Sequence, residues 1–337
     1  MKYYFIPIFL MTLSACSHQV SSQAIGVSSA PALAKGADIS WLTEMEANNH
    51  LFYDSTGKQE DCIILMKNLG INAIRLRAWV NPSDGWCNTE DLLRKAIRAK
   101  NADMRIMIDL HYSDVWADPG HQSKPAAWLS QDINGLQNSV YNYTVDVMNR
   151  LKQNNIVPEW VQVGNETNNG MLWEEGRASA NMKNFALLVN KGYDAVKSVF
   201  ANTKVIVHIS NGYDNNLFRW IFDGLTANQA RWDIIGMSLY PDTTHWQTFN
   251  AQCLSNMNDM VQRYHKPVMI CEVGMPYTAA NTCRAFLSDL LSKIKSVPDN
   301  NGLGIFYWEP ESYQWKGYTL GAFDDTGKPT VAFDAFK

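Results

Sequence analysis

Two apolar runs in this chain each carry a lone glutamate near their end. The first is Trp160-Val161-Gln162-Val163-Gly164-Asn165-Glu166-Thr167 and the second is Val268-Met269-Ile270-Cys271-Glu272-Val273-Gly274. In the first, Val161 and Val163 alternate with Gln162 and Gly164, which is the period of a strand. Asn165 and Glu166 then fall at its C-terminal end. Two carboxyls on two strand ends are what cleavage of a glycosidic bond requires, one as acid/base and one as nucleophile. One such Glu alone has an equal claim to mark the point where a strand meets solvent. The pair makes chemistry the better account.

The elements that must position these carboxyls alternate between strand-like and helix-like runs, the pattern of a parallel α/β architecture. Strands are expected at about 36–40, 73–80, 104–110, 160–167, 204–209, 234–240, 267–273 and 303–308. Helices are expected at 61–69, 90–100, 136–154, 181–200, 216–225, 249–264 and 284–297, and a loop rich in Asn, His and Tyr is expected after the first strand. Eight strands with helices between them fit a single-domain (β/α)8 TIM barrel, in which the C-terminal strand ends carry the chemistry. In the second strand Arg75, Arg77 and Trp79 share one face. Arg at a barrel end must meet carboxylates there or lie on a solvated edge.

The expected strand ends are rich in polar and aromatic side chains. Asn165 can bond a sugar hydroxyl. Tyr240 can hold the attacking carboxylate in line, and Arg77 or Arg75 can keep it ionised. His111 can bond a hydroxyl or a catalytic acid, although a purely structural His is the competing account. Trp308 can form a sugar platform. Asp38, Trp116 and Asn211 join these as substrate-binding candidates. No serine-nucleophile elbow, phosphate loop or dinucleotide glycine motif competes.

Longer motifs carry a resemblance along nearly the whole chain after the N-terminus. They include Gly36-Ala37-Asp38-Ile39-Ser40, Arg75-Leu76-Arg77-Ala78-Trp79-Val80-Asn81-Pro82 and Asp109-Leu110-His111-Tyr112-Ser113-Asp114-Val115-Trp116-Ala117-Asp118-Pro119, with His121-Gln122 close behind. Gly164-Asn165-Glu166, Gly170-Met171-Leu172-Trp173, Asn211-Gly212 and Phe306-Tyr307-Trp308-Glu309-Pro310 complete the set. The chain resembles the endo-β-1,4-galactanases of glycoside hydrolase family 53, in the large clan of retaining barrel glycosidases. The resemblance implies that Glu166 is the acid/base and Glu272 the nucleophile. It implies β-1,4-galactan, the type I arabinogalactan side chain of pectin, as substrate. The segments after Glu166 and Glu272, and Tyr213 where the family has Trp, depart from the family pattern. Some bacterial members bind calcium in a longer loop before the last strand. No acidic cluster of that kind stands between Pro276 and Ser296, so no metal and no cofactor is expected. Competing accounts are another specificity in the clan, such as a β-mannanase or an exo-galactosidase, or a glycan-binding protein without activity.

The chain has 337 residues, 46% of them apolar, with a net charge of −4, which is ample for one large core and gives no reason to expect a nucleic-acid partner. Twelve Trp and 14 Tyr suit a cleft that stacks on sugar faces. Lys2 precedes an apolar run, Tyr3 to Leu13, too short to span a bilayer. It ends in Leu13-Ser14-Ala15-Cys16, which resembles a bacterial lipobox. The expectation is therefore a signal peptide over 1–15, lipidation at Cys16, a tether over 16–34 and a catalytic domain over 35–337. This describes an exported, monomeric lipoprotein held to the outer membrane through Cys16. Five other Cys remain, an odd number, so at least one stays unpaired.

Overall fold

The structure, a computed structural model, describes residues 1–5 and 32–337. Cys16 and nearly all of the expected signal peptide and tether lie outside the described residues. From Leu33 onward the chain forms one compact unit. Its eight parallel strands are β1 (Ala34–Asp38), β2 (Ala73–Ala78), β3 (Arg105–Leu110), β4 (Trp160–Val163), β5 (Lys204–Ile209), β6 (Ile234–Leu239), β7 (Val268–Val273) and β8 (Gly302–Trp308). They close in sequence order, with β8 pairing β1, so the expected (β/α)8 barrel is the observed fold.

Helices α1 (Leu42–Ala47), α2 (Cys62–Asn68), α3 (Thr89–Asn101), α4 (Ile133–Gln153), α5 (Ala178–Val199), α6 (Asn215–Ala227), α7 (Trp246–Tyr264) and α8 (Ala280–Ser296) surround the sheet. Asp61, Asn88, Asp132 and Asp214 each accept backbone N–H groups at a helix start, which fixes where α2, α3, α4 and α6 begin. Helix α1 stands where the sequence suggested a loop. It is only six residues long and has no side-chain cap, and it forms because Leu42 and Met45 reach the core. Strand β4 stops at Val163, four residues short of expectation. Gly164 turns the chain there with φ +85°, so Asn165 and Glu166 sit just beyond the strand.

Strand alternation divides the core in two. Outward residues such as Ile74, Leu76, Ile108, Val161, Val207 and Ile270 pack against the helices. Inward residues toward the N-terminal end form an apolar floor of Ala73, Met107, Trp160, Ile206, Met269, Cys271 and Phe306. Phe306 meets Trp160 edge to face, with centroids 5.9 Å apart. It fits because β1 offers Gly36 beside it: a Cβ on Gly36 would lie 2.1 Å from the Phe306 ring. Cys271, like the other four described Cys residues, is free and buried.

Phe306→Ala should destabilise the fold by about 3–5 kcal/mol, and Gly36→Ala by about 1–3 kcal/mol. In the double variant the new methyl enters the vacated space, so the two losses should not add. Denaturant unfolding measures all three, and strict additivity would contradict this packing.

Candidate active site

Above the floor the inward positions become polar. Arg75 on β2 is fully buried at the centre. Its Nη1 donates to Asp38 Oδ2 at 2.6 Å, and its Nη2 to Asp109 Oδ2 at 2.9 Å and Asn165 Oδ1 at 3.0 Å. Its Nε donates to Gln162 Oε1 at 2.6 Å, and Nη2 also lies 2.9 Å from Glu272 Oε1. A planar guanidinium with five N–H groups is the side chain able to serve so many acceptors.

Glu272 reaches this cluster through an irregularity. Between β6 and β7 the register shifts from Met237↔Ile270 to Ser238↔Glu272, which leaves Cys271 as an extra residue. Cys271 points to the floor, and Glu272, which simple alternation would send outward, also turns inward. Its other oxygen, Oε2, accepts the Tyr240 hydroxyl at 3.0 Å. Glu166 is held differently. It sits at φ +43°, and Gln122 Nε2 donates to the preceding carbonyl, Asn165 O, at 2.8 Å. Its Oε1 accepts the Ser238 hydroxyl at 2.6 Å.

Both glutamates line one cavity of about 320 Å³, together with His111, Trp116, Asn165, Tyr240 and Trp308. A neighbouring hollow of about 550 Å³ shares Trp116, Trp308 and Tyr318 with it and adds Trp41, Asp84 and Lys316. The two together make an extended, aromatic-walled cleft. Burial raises both Glu166 and Glu272 above the ordinary carboxylate range, and Arg75 opposes the rise in each case. The charge of Glu166 adds to the rise at Glu272.

Other residues singled out in the sequence take definite places. Arg77 is also fully buried, so neither arginine lies on a solvated edge. Arg77 does not meet Glu272. It pairs with Glu309 at 3.2 Å and lies 4.2 Å from the centre of the Trp116 ring, so it supports the aromatic wall. Asp38 is committed to Arg75 and to Ser40 and is absent from the cavity lining. His111 lines the cavity, but both its nitrogens are engaged: Nε2 with Asp109, and Nδ1 as acceptor from Trp79 Nε1 and Ala117 N. Burial lowers its pKa. Asn211 is exposed beyond β5 and does not line the cavity. Gln162, His208 and Ser238 belong to the network and were missed. Their signal was one polar residue on the inward face of an otherwise apolar strand. Among the described residues no cluster of His, Cys, Asp and Glu is arranged to hold a metal ion.

An eight-stranded barrel with one buried and one half-buried carboxyl in an aromatic cleft at its C-terminal end has the architecture of a glycoside hydrolase. The family model for glycosyl hydrolase family 53 matches residues 34–285 and 278–336, and the chain belongs to that family. It is 34% identical over 306 residues to the arabinogalactan endo-beta-1,4-galactanase A of Emericella nidulans, covering 85% of this chain and 87% of that one. It is 36% identical over 342 residues to an uncharacterized protein of the bgaB 5' region of Niallia circulans, covering 90% and 93%. A solved structure described as one of two fungal beta-1,4-galactanases superposes with a TM-score of 0.84 at 28% identity, over 90% of this chain and 99% of that one. The protein is thus a family 53 glycoside hydrolase.

A carboxyl whose pKa is raised by folding makes the folded state hold a proton that the unfolded chain releases. Stability therefore falls as pH rises from the ordinary carboxylate pKa toward the raised one. Glu272→Gln removes that contribution. Its melting temperature should exceed the parent's at about pH 8, and the gap should shrink at about pH 5. Thermal melts at the two pH values check this, and a gap that widens toward acid would contradict it.

Proposed function

We propose that the chain is a retaining endo-β-1,4-galactanase with Glu272 as nucleophile and Glu166 as acid/base. The observation that carries the division of roles is the unequal company of the two carboxyls. Glu272 has a guanidinium on one oxygen and a phenol donor on the other, both favouring its ionised form. Glu166 has one neutral donor, the Ser238 hydroxyl, and lines the cavity. In a close pair that repels itself, the proton rests on the less supported member.

The ionised Glu272 forms a bond to the anomeric carbon while Glu166 gives its proton to the departing glycosidic oxygen. Glu166, now a carboxylate, takes a proton from water. The water oxygen displaces Glu272 and restores both groups. The two displacements retain the configuration. The pKa of Glu166 falls once Glu272 is esterified, because a neighbouring negative charge has gone. The cleft supports attack within a chain, since aromatic walls continue past the carboxyls into the adjoining hollow. The galactan specificity draws on the galactanase names of the relatives. The Leu13-Ser14-Ala15-Cys16 tetrapeptide supports lipidation at Cys16 and a tether to the outer membrane, where the enzyme would meet pectic galactan.

Assays on galactan, mannan and xylan separate this specificity from a mannanase or an inactive binding protein. Glu272→Ala should lose several orders of magnitude on galactan, with azide restoring part of the activity with inverted configuration. Glu166→Ala should lose about 10² to 10⁴-fold on galactan. On an aryl galactobioside with a good leaving group it should show a burst, and azide should then speed turnover with retained configuration. The opposite pattern would exchange the two roles. Full activity of both variants would move the site elsewhere.

Cys16→Ser should release the protein from membranes with unchanged specific activity, as fractionation and assay would show. Membrane association that survives the substitution would rule out the anchor.

A further inference from the structure

Three inward side chains that catalysis has not yet used form a line ending on Glu166. Gln162 Nε2 lies 2.9 Å from His208 Nδ1, His208 Nε2 lies 2.8 Å from Ser238 Oγ, and Ser238 Oγ lies 2.6 Å from Glu166 Oε1. All three are buried, and each comes from a different strand, β4, β5 and β6. We propose that Ser238, aimed by His208, is a positioning residue that ties Oε1 of Glu166 and so makes Oε2 the oxygen that carries the transferable proton. The inference rests on Glu166 as the acid/base.

The direction of the line follows from hydrogen-bond bookkeeping. Gln162 cannot flip, because its Oε1 already accepts Arg75 Nε, so its amide nitrogen faces His208 and Asp109 Oδ1. The Glu166 backbone N–H also points at His208 Nδ1, at 3.4 Å. Two donors meet Nδ1, so Nδ1 is bare and the ring proton sits on Nε2. His208 is neutral because burial, assisted by Arg75, lowers its pKa far below the ordinary value. With Nε2–H given to Ser238 Oγ, the single hydroxyl proton of Ser238 can go only to Glu166. Asn165 Oδ1 also lies 2.9 Å from Nδ1 and would favour the other tautomer, but that tautomer would set one acceptor against two donors at Nδ1, Gln162 Nε2 and the Glu166 N–H. In that other tautomer Ser238 would donate to His208 and leave Glu166 without a donor.

Oε1 is thus an acceptor in both states of Glu166. Among the described residues no donor reaches Oε2, and Glu166 borders the cavity. A proton on Oε2 faces substrate, while one on Oε1 would be lost against Ser238. The charged and titratable groups around Glu166 are Arg75 from β2, Asp109 from β3 and Asp118 from the loop after it. His208 from β5, Tyr240 after β6 and Glu272 from β7 complete the surround. Burial raises its pKa most; Ser238 and then Arg75 lower it, and Asp118 and Asp109 raise it further.

The test is the pH profile of kcat/KM on galactan. Ser238→Ala removes a donor to the ionised form, so Glu166 keeps its proton to higher pH and the alkaline limb moves up by about one pH unit. Ser238→Thr, which keeps the hydroxyl, should return the limb toward the parent position. An unmoved limb in Ser238→Ala, or a displaced one in Ser238→Thr, overturns the inference. Should Ser238→Ala fail to fold, ring-nitrogen NMR shifts of His208 in the parent decide: a protonated Nε2 with a bare Nδ1 is expected, and the reverse overturns it. Glu166→Gln is run alongside. If it stays fully active, the acid/base reading itself fails. If it is inactive while the Ser238→Ala limb is unmoved, only the positioning role fails.

Discussion

The upper barrel depends on one buried guanidinium. Arg75 binds side chains from or just beyond β1, β3, β4 and β7 to β2, and three of those partners are carboxylates. A lone buried arginine would be ruinous, and three buried carboxylates without it would be worse. The charges do not cancel, because one cation serves three anions. Burial, together with the residual negative field of the neighbouring aspartates, keeps Glu166 reluctant to ionise. Lysine could not substitute, since a single ammonium lacks the planar fork that spans these strands.

The barrel interior therefore separates two duties along its axis. The lower layer, from Ala73 to Phe306, is close-packed and apolar and holds the strands at their spacing. The upper layer is a hydrogen-bonded lattice in which the first atoms seen by a ligand are themselves held by second partners. Asp109 holds both Arg75 and His111, and Gln162 holds Arg75, Asp109 and His208. Outside this lattice Arg77 plays the matching part for the tryptophans, stacking beneath Trp116 while Glu309 balances its charge.

Much of this was legible from the chain alone, and the reasons are local. Strands such as 204–209 and the long helices announce themselves by period, because burial repeats with backbone geometry. Helix α1 did not, since its six residues owe their shape to packing. The end of β4 was misplaced because the residue types at 164–167 do not by themselves mark a strand end, while the turn depends on a positive φ and on contacts to Gln122 and His208. The glutamates and Tyr240 could be picked out by type and by place at strand ends. Which arginine would meet Glu272 could not, because Arg75 and Arg77 share a face and differ only in height. Gln162, His208 and Ser238 were hidden for a related reason. Each looks like a minor blemish in an apolar strand, and its meaning appears only when three strands converge.

The extra residue in β7 has a consequence for how this barrel tolerates change. Cys271 sets the phase of the strand: up to it, side chains follow one beat, and from Glu272 onward they follow the opposite one. Replacing Cys271 by another small residue alters the volume of the floor but leaves the beat intact. Removing it restores strict alternation with Glu272 directly after Ile270 and opposite Ser238, so the glutamate still faces inward and the floor alone loses a side chain. The extra residue thus gives β7 two successive inward side chains, one for the floor and one for the site. Such a strand serves both layers of the interior without placing a residue on the helix-facing side between them.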